Sequence, residues 1–354
     1  MNDPLKPLRE RIDALDAKLL ELLNERASIA EQIGALKDGE VYRPEREAQV
    51  LCRLRQMNPG PLGADAVERL FVEIISACRA LERPMAIAYL GPRGTFSEEA
   101  AIKRFGTAAE RLPCATIDDV FRSVESRQAH YGVVPVENST EGAVGRTLDL
   151  LLATPLKACG EVMLPVHQSL LFNGDDYRAV ARVYSHPQSF GQCQRWLAAN
   201  LPGAERISAS SNGEAARLAA QDPGAAAVGP QRAGETYGLR VAAANIEDDP
   251  RNTTRFLVIG PRDAGVSGRD KTSLVMSAQN RPGAVHELLD PLARHGVSMT
   301  RLESRPSRAG LWEYVFYVDV EGHRDDPKVA AALAELAERA AFVKILGSYP
   351  IAKD

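Results

Sequence analysis

Asn252-Thr253-Thr254-Arg255-Phe256 runs straight into the apolar stretch Leu257-Val258-Ile259 and a Gly260-Pro261 stop, which sets a hydroxyl and a guanidinium at the mouth of a predicted strand. An arginine fork suits a carboxylate, and a hydroxyl beside it can donate to an oxygen that gains charge. Three more polar loops follow short apolar runs: Gly91-Pro92-Arg93-Gly94-Thr95-Phe96-Ser97, Glu137-Asn138-Ser139 and Ser185-His186-Pro187-Gln188. The first has the composition of an anion nest before a helix, but it lacks both the dinucleotide glycine fingerprint and the GKS/T of a phosphate loop. His186 invites a search for a Ser-His-acid triad, yet no nucleophile elbow is present, and taken singly each loop reads as a turn or cap. A second concentration of charge lies near the N-terminus, where Arg26 interrupts an apolar helical seam. Lys37, eleven residues on, is three turns away within about 20°, so both side chains share a face and can converge on a small molecule. Charge in a seam is costly unless paired, which favours a bound anion over a snorkelling or register-setting residue. Arg9 precedes Arg26 by seventeen residues, about 25 Å and about 100° round the helix, so it serves that site only if an antiparallel partner brings it.

The elements that must position these groups fall into three regions. Across 354 residues, 45% hydrophobic and 25% charged, the chain is long enough for two or three domains. Five scattered cysteines without a CxxC pair argue against a disulfide framework and a zinc site, so no metal is expected. The net charge of -4 gives no call for nucleic acid, no apolar run is long enough for a membrane span, and the N-terminus lacks signal character, so a cytoplasmic protein is expected. Leu8, Ile12, Leu15, Leu19, Leu22, Ile29, Ile33 and Leu36 predict one helix of about 33 residues, roughly 50 Å long. Two shorter helices follow, from Pro44 and up to Arg83-Pro84. Such a helix cannot bury its own length, so residues 1–84 are expected to form an intertwined helical dimer. From 85 to 261, apolar runs at 86–90, 131–136, 164–172, 180–184, 225–228 and 256–259 alternate with helical patterns, which predicts two α/β lobes with a largely parallel sheet and ligand loops at strand ends. A polar linker covers 262–271. The order beyond it, to about 350, is βαββαβ, a ferredoxin-like sandwich without an evident acid-base pair and so a binding module.

Residues 1–84 resemble the all-helical chorismate mutase family over nearly their whole length, through Leu8-Arg9-Glu10, Arg26, Lys37, Arg43-Pro44-Glu45-Arg46-Glu47, Cys78 and Glu82. The resemblance implies a Claisen rearrangement of chorismate to prephenate. This concerted bond exchange needs a held conformer and positive charge at the breaking ether oxygen, not a nucleophile. It implies that Arg26 and the partner subunit's Arg9 hold the carboxylates, Lys37 faces the ether oxygen and Glu47 accepts from the ring hydroxyl. Arg43, Arg46 and Cys78 would complete the pocket; Cys78 stands where a serine often sits, and Arg43 where some relatives carry an acid. Glu82 replaces an amide donor. A carboxylate there repels the ether oxygen whereas a protonated acid donates to it, so mutase activity is expected to rise toward mildly acidic pH and Glu82→Gln to flatten the profile. A wild-type rate independent of pH would dismiss that expectation.

The set Gly91-Pro92-Arg93-Gly94-Thr95, Glu137-Asn138-Ser139, Ser185-His186-Pro187-Gln188 and Thr254-Arg255-Phe256, in this order, closely resembles prephenate dehydratases. That family has two lobes like a type II periplasmic binding protein and makes phenylpyruvate in the cleft between them. The resemblance implies Thr254 as donor to the departing hydroxyl, with Thr95, Glu137, Asn138, Ser139, Ser185, His186, Gln188, Arg255 and Phe256 as substrate-binding residues. Residues 272–350 resemble the ACT domain attached to such dehydratases. Glu303-Ser304-Arg305-Pro306 matches its effector motif, and Gly283-Ala284-Val285-His286 its other motif in the first two residues. L-phenylalanine bound at a dimer interface is the implied effector, with Gly283, Ala284, Val285, Glu303, Ser304, Arg305 and Pro306 around it. Together the regions resemble bifunctional chorismate mutase/prephenate dehydratases, which need no cofactor. A mutase fused to prephenate dehydrogenase would require the missing glycine fingerprint. A non-catalytic amino-acid sensor built from a binding-protein fold and an ACT domain has no need of Thr254-Arg255 or of charge in the helical seam.

Overall fold

The computed structural model describes residues 3–36, 42–278, 281–306 and 314–352. α1 (Lys6–Leu36), α2 (Pro44–Met57) and α3 (Ala64–Glu82) make the helical region. Pro44 presets the first turn of α2, and Glu45 and Glu47 there complement the positive end of the helix dipole. None of the 31 residues of α1 is buried. Its seam stands open, with Leu15 60% and Leu22 63% exposed. α3 approaches α1 closely at Gly34, where a Cβ would come within 2.9 Å of the Glu82 Cβ.

The first lobe contains β1 (Ala86–Leu90), α4 (Phe96–Phe105), β2 (Glu110–Cys114), α5 (Ile117–Glu125), β3 (Tyr131–Asn138), β4 (Gly142–Ala143), α6 (Gly145–Ala153) and β5 (Lys157–Pro165). The second follows with β6 (Ser169–Phe172), β7 (Arg182–Ser185), α7 (Pro187–Gln192), α8 (Gln194–Asn200), β8 (Glu205–Ser208), α9 (Asn212–Gln221), β9 (Ala225–Gly229), α10 (Gln231–Tyr237) and β10 (Arg240–Ala243). The chain then returns as β11 (Thr253–Gly260) to the first sheet, whose order is β2-β1-β3-β11-β5 with β4 on β3. The second sheet runs β10-β6-β9-β7-β8.

Three expectations are revised. The apolar run 164–172 is not one strand: it leaves the first sheet at Pro165 and enters the second at Ser169. Both halves are buried, so hydropathy does not mark the crossing; Pro165, which offers no ladder donor, is the local sign of it. The sheets are mixed, because β11 runs antiparallel to both β3 and β5, and β6 antiparallel to β9. The last strand also begins earlier than the apolar run 256–259, at Thr253, so Thr254 at its mouth is paired opposite Asn138 and Leu164.

The two crossings are tied together. Val166 N–H donates to the Asn252 carbonyl at 2.8 Å and Ile246 N–H to the Gln168 carbonyl at 2.9 Å.

β12 (Asp270–Ser277), α11 (Ala284–Arg294), β13 (Met299–Pro306), β14 (Tyr314–Glu321), α12 (Pro327–Arg339) and β15 (Phe342–Pro350) form the expected βαββαβ unit, with sheet order β13-β14-β12-β15. This unit does not hang from its linker. Val275, Tyr317, Leu346 and Tyr349 share one apolar core with Ala88, Val134 and Ile259 of the first lobe. No helix among the described residues is long and apolar enough to cross a membrane.

Candidate active sites

All three helices of the N-terminal region line one cavity of about 750 Å³. α1 contributes Arg26, the entry to α2 contributes Arg43, Arg46 and Glu47, and α3 contributes Cys78 and Glu82. Six of the expected pocket residues thus meet. Lys37 lies outside the described residues. Arg9 is not brought in: it is exposed and ion-paired with Asp3 at 3.1 Å, far along α1, as its spacing from Arg26 requires.

Glu47 is the most constrained group of this cavity. It is 6% exposed, and Arg79 grips its Oε2. Oε1 is buried and accepts no hydrogen bond among the described residues, with Arg104 Nη1 3.7 Å away. A buried carboxylate oxygen with a free lone pair at a cavity wall suits a ligand hydroxyl. Tyr42, another wall residue, accepts from Arg104 Nε at 2.7 Å, and burial pushes its hydroxyl well above the ordinary phenol range. Sequence inspection missed Tyr42, Arg79 and Arg104, whose pairing across the chain has no local signal.

In the two lobes, topology gathers the loops. β1 and β3 are parallel neighbours, so Gly91-Pro92-Arg93-Gly94-Thr95 and Glu137-Asn138-Ser139 leave the same edge of the sheet, and antiparallel β11 starts there with Thr253 and Thr254. β7 ends at Ser185, which puts His186 at the corresponding edge of the second sheet. A cavity of about 650 Å³ joins the two loops, lined by Gly91, Thr95, His186, Ser211 and Asn212 among others.

Asn138 holds Thr254. The Asn138 Oδ1 accepts from Thr140 N–H at 3.0 Å, the Thr140 hydroxyl at 2.6 Å and Glu141 N–H at 3.1 Å. Those three donors turn the Nδ2 toward Thr254 Oγ1, 2.8 Å away, and toward Asn252 Oδ1 at 2.9 Å. Because Thr254 Oγ1 accepts this bond, its own proton is left to point elsewhere, and accepting polarises the hydroxyl as a donor. Ser139 fastens the same corner: its Oγ accepts from Thr253 N–H at 3.0 Å. A buried cluster missed from sequence lies beside the crossing, where Gln168 Nε2 donates to Ser189 Oγ at 3.0 Å and Asn212 Nδ2 to Ser189 Oγ at 2.9 Å.

His186 caps α7, its Nδ1 accepting from Gln188 N–H at 3.3 Å, and burial lowers its pKa. The neutral ring therefore carries its proton on Nε2, a donor and not a base. Gln188 is half-buried beside it. Thr95 Oγ1 caps α4, accepting from Glu98 N–H at 3.4 Å.

Four side chains lie elsewhere than their expected ligand roles require. Ser185 Oγ is fully buried and donates to the Val228 carbonyl, joining β7 to β9. Phe256 is 1% exposed, a core residue among Ile87, Val133 and Leu164. Arg255 leaves the opposite face of β11 from Thr254, as strand alternation dictates, and is buried against the ferredoxin-like unit. Its guanidinium meets Glu161 at 2.8 Å, Asp319 at 2.5 Å and the Tyr349 hydroxyl at 2.9 Å. Glu137 turns the same way and pairs with Arg301 of β13 at 3.1 Å.

On the C-terminal unit, Gly283 adopts φ +81° ahead of α11, with Ala284 buried and Val285 exposed behind it. Glu303, Ser304, Arg305 and Pro306 lie on the edge strand β13, where Ser304 and Pro306 are exposed. Arg305 reaches Asp149 of α6 at 3.4 Å, over Gly145, whose missing side chain makes the room.

The family pattern described as chorismate mutase type II matches residues 8–83, that of prephenate dehydratase matches 87–264, and that of the ACT domain matches 272–338. The chain is 56% identical over 356 residues to a bifunctional chorismate mutase/prephenate dehydratase of Neisseria gonorrhoeae, covering 99% of this chain and 98% of that one. It is 48% identical over 358 residues to the Pseudomonas aeruginosa protein of the same name, covering 98% of each. Among solved structures, a prephenate dehydratase from Arthrobacter aurescens in complex with L-Phe is similar at a TM-score of 0.70 and 33% identity, over 75% of this chain and 90% of that one. With a helical cavity, a two-lobed cleft and a ferredoxin-like unit in the order of those three patterns, and with such identity over its whole length, the chain belongs to the bifunctional chorismate mutase/prephenate dehydratase family.

Proposed function

We propose that chorismate rearranges to prephenate in the helical cavity and that prephenate becomes phenylpyruvate in the cleft edged by Thr254. The convergence of residues from all three helices on one cavity, with Glu47, whose buried Oε1 accepts no hydrogen bond among the described residues, in its lining, is the observation that carries the first half. Arg26, Arg46 and Lys37 supply the positive charge for the two carboxylates and the ether oxygen, with Arg9 of the partner subunit. Glu47 takes the ring hydroxyl, and Glu82 and Cys78 face the reacting bonds. One C–O bond breaks as one C–C bond forms, and holding the folded conformer is the main catalytic demand.

In the cleft, Thr254 donates to the C4 hydroxyl of prephenate. The electron pair of the ring–carboxylate bond moves into the ring, carbon dioxide leaves, and the departing hydroxide takes one proton from solvent to become water. His186 and Gln188 serve as donors from the second lobe. Thr95, Ser139 and Ser185 act through caps and strand ties, and Arg255 and Phe256 through the strand they build.

The open seam of α1 supports a second copy lying along it, so the working unit is a homodimer or a higher homo-oligomer in the cytoplasm. L-phenylalanine is the effector of the ACT domain, held by the segment Gly283-Ala284-Val285 and the strand Glu303-Ser304-Arg305-Pro306. Purified protein given chorismate should release prephenate and then phenylpyruvate; absence of phenylpyruvate would overturn the assignment. Added L-phenylalanine should lower the dehydratase rate, and inhibition by tyrosine or tryptophan at far lower concentration would remove phenylalanine as the effector.

A further inference from the structure

We propose that Arg104, which belongs to the dehydratase lobe, is a positioning residue for the mutase reaction. This rests on the assignment of Glu47 as acceptor of the ring hydroxyl of chorismate. Arg104 sits on α4, and its guanidinium reaches Glu47, a wall residue of the helical cavity, from behind that wall and from outside the helical region. The two arginines at Glu47 do different jobs. Arg79 takes Oε2 directly, whereas Arg104 Nη1 stands 3.7 Å from Oε1. That separation is too long for a hydrogen bond and short enough for strong attraction in a buried setting. Arg104 therefore orients Oε1 while leaving its lone pairs for a substrate.

The reach of Arg104 is itself fixed. Its Nε donates to Tyr42 Oη at 2.7 Å, and the Tyr42 ring packs against Phe105 and Tyr131 at centroid distances of 5.0 and 4.9 Å. Beyond the end of α4, Thr107 N–H and its hydroxyl donate to Glu73 of α3 at 3.0 and 2.6 Å. Gly106 presses on Ser76, where an added Cβ would lie 2.4 Å from the Ser76 Cβ. α4 is thus fastened to the helix that carries Cys78, Arg79 and Glu82, and a residue with no place in the helical sequence region backs Glu47 and Tyr42 in the wall of its site.

The test uses full-length Arg104→Met, Arg104→Lys and Glu47→Gln proteins, with mutase turnover assayed on chorismate and dehydratase turnover on supplied prephenate. Arg104→Met is expected to lower mutase kcat roughly ten- to a hundredfold with little change in KM, since orientation and not binding is lost. Dehydratase turnover should stay at the wild-type value, and Arg104→Lys should recover most of the mutase rate. Wild-type mutase kcat in Arg104→Met alongside a slow Glu47→Gln would overturn the proposal, as would an equal fall in both activities, the signature of a purely structural contact. Wild-type mutase kcat in Glu47→Gln would instead sink the assignment of Glu47 and the proposal with it. If Arg104→Met does not fold, Tyr42→Phe, which removes the oxygen anchoring Arg104, should show a smaller fall in mutase kcat; an unchanged kcat there also overturns it.

Discussion

Thr254→Ala is expected to lower dehydratase turnover about a hundred- to a thousandfold while mutase turnover stays near normal, the loss typical of one preorganised donor. The size follows from how little freedom the hydroxyl has. Three donors fix the Asn138 carboxamide, its Nδ2 occupies a Thr254 lone pair, and the remaining Thr254 proton is the group free to meet the departing oxygen. Alanine removes that donor and leaves Asn138 Nδ2 with Asn252 alone. Phenylpyruvate formation from supplied prephenate, beside prephenate formation from chorismate, measures both rates. A parallel loss of the two would contradict separate sites.

Arg255→Met is expected to destabilise the protein by about 3–5 kcal/mol, because it strips the counter-charge from buried Asp319 and weakens that of Glu161. Thermal unfolding should register a fall on the order of 10 °C. The pH dependence separates this cause from lost packing. Burial alone would raise the Asp319 pKa, but Arg255, Ser273 and Arg301 hold it below the usual carboxylate range. A carboxylate depressed on folding stabilises above its unfolded value, and that stability is lost only as pH falls through the lower folded value. Without Arg255 burial prevails, the folded pKa rises above the unfolded one, and mild acidification should restore part of the lost stability. The wild type should gain nothing over the same range. A variant as stable as wild type, or one that acid further weakens, contradicts this account of Arg255.

Much of the architecture was legible because apolar periodicity marks an element's type and its non-polar face. The seam of α1 and the βαββαβ order followed from apolar spacing, and the start of α2 from the proline at its first turn. Asn138 and Thr254 were found as strand-end polar residues, and they do meet. The direction of Arg255 was not legible. Alternation puts it opposite Thr254, but β11 is covered on both faces, so nothing local tells which face is the cleft. Phe256 was assigned to the substrate by resemblance alone, and the structure buries it in the core among Ile87, Val133 and Leu164. Arg104 and Tyr42 lie 62 residues apart and join two regions that read as separate domains, so their pairing is a property of the assembled chain.

The tied crossings between the lobes bear on how the dehydratase turns over. Thr254 lies two residues beyond Asn252, whose carbonyl holds Val166, so the donor proposed for the bond-breaking step stands at the pivot that these ties would give an opening motion. A point on a pivot moves least, while the loop of the second lobe that carries His186 swings about it. Admission of prephenate and escape of phenylpyruvate can therefore proceed by swinging the far wall without disturbing the alignment of the Thr254 hydroxyl. The gate and the chemical step then tune separately: changes along 166–168 and 246–252 alter how fast substrate and product exchange, and changes at Asn138 and Thr254 alter how fast the bonds break.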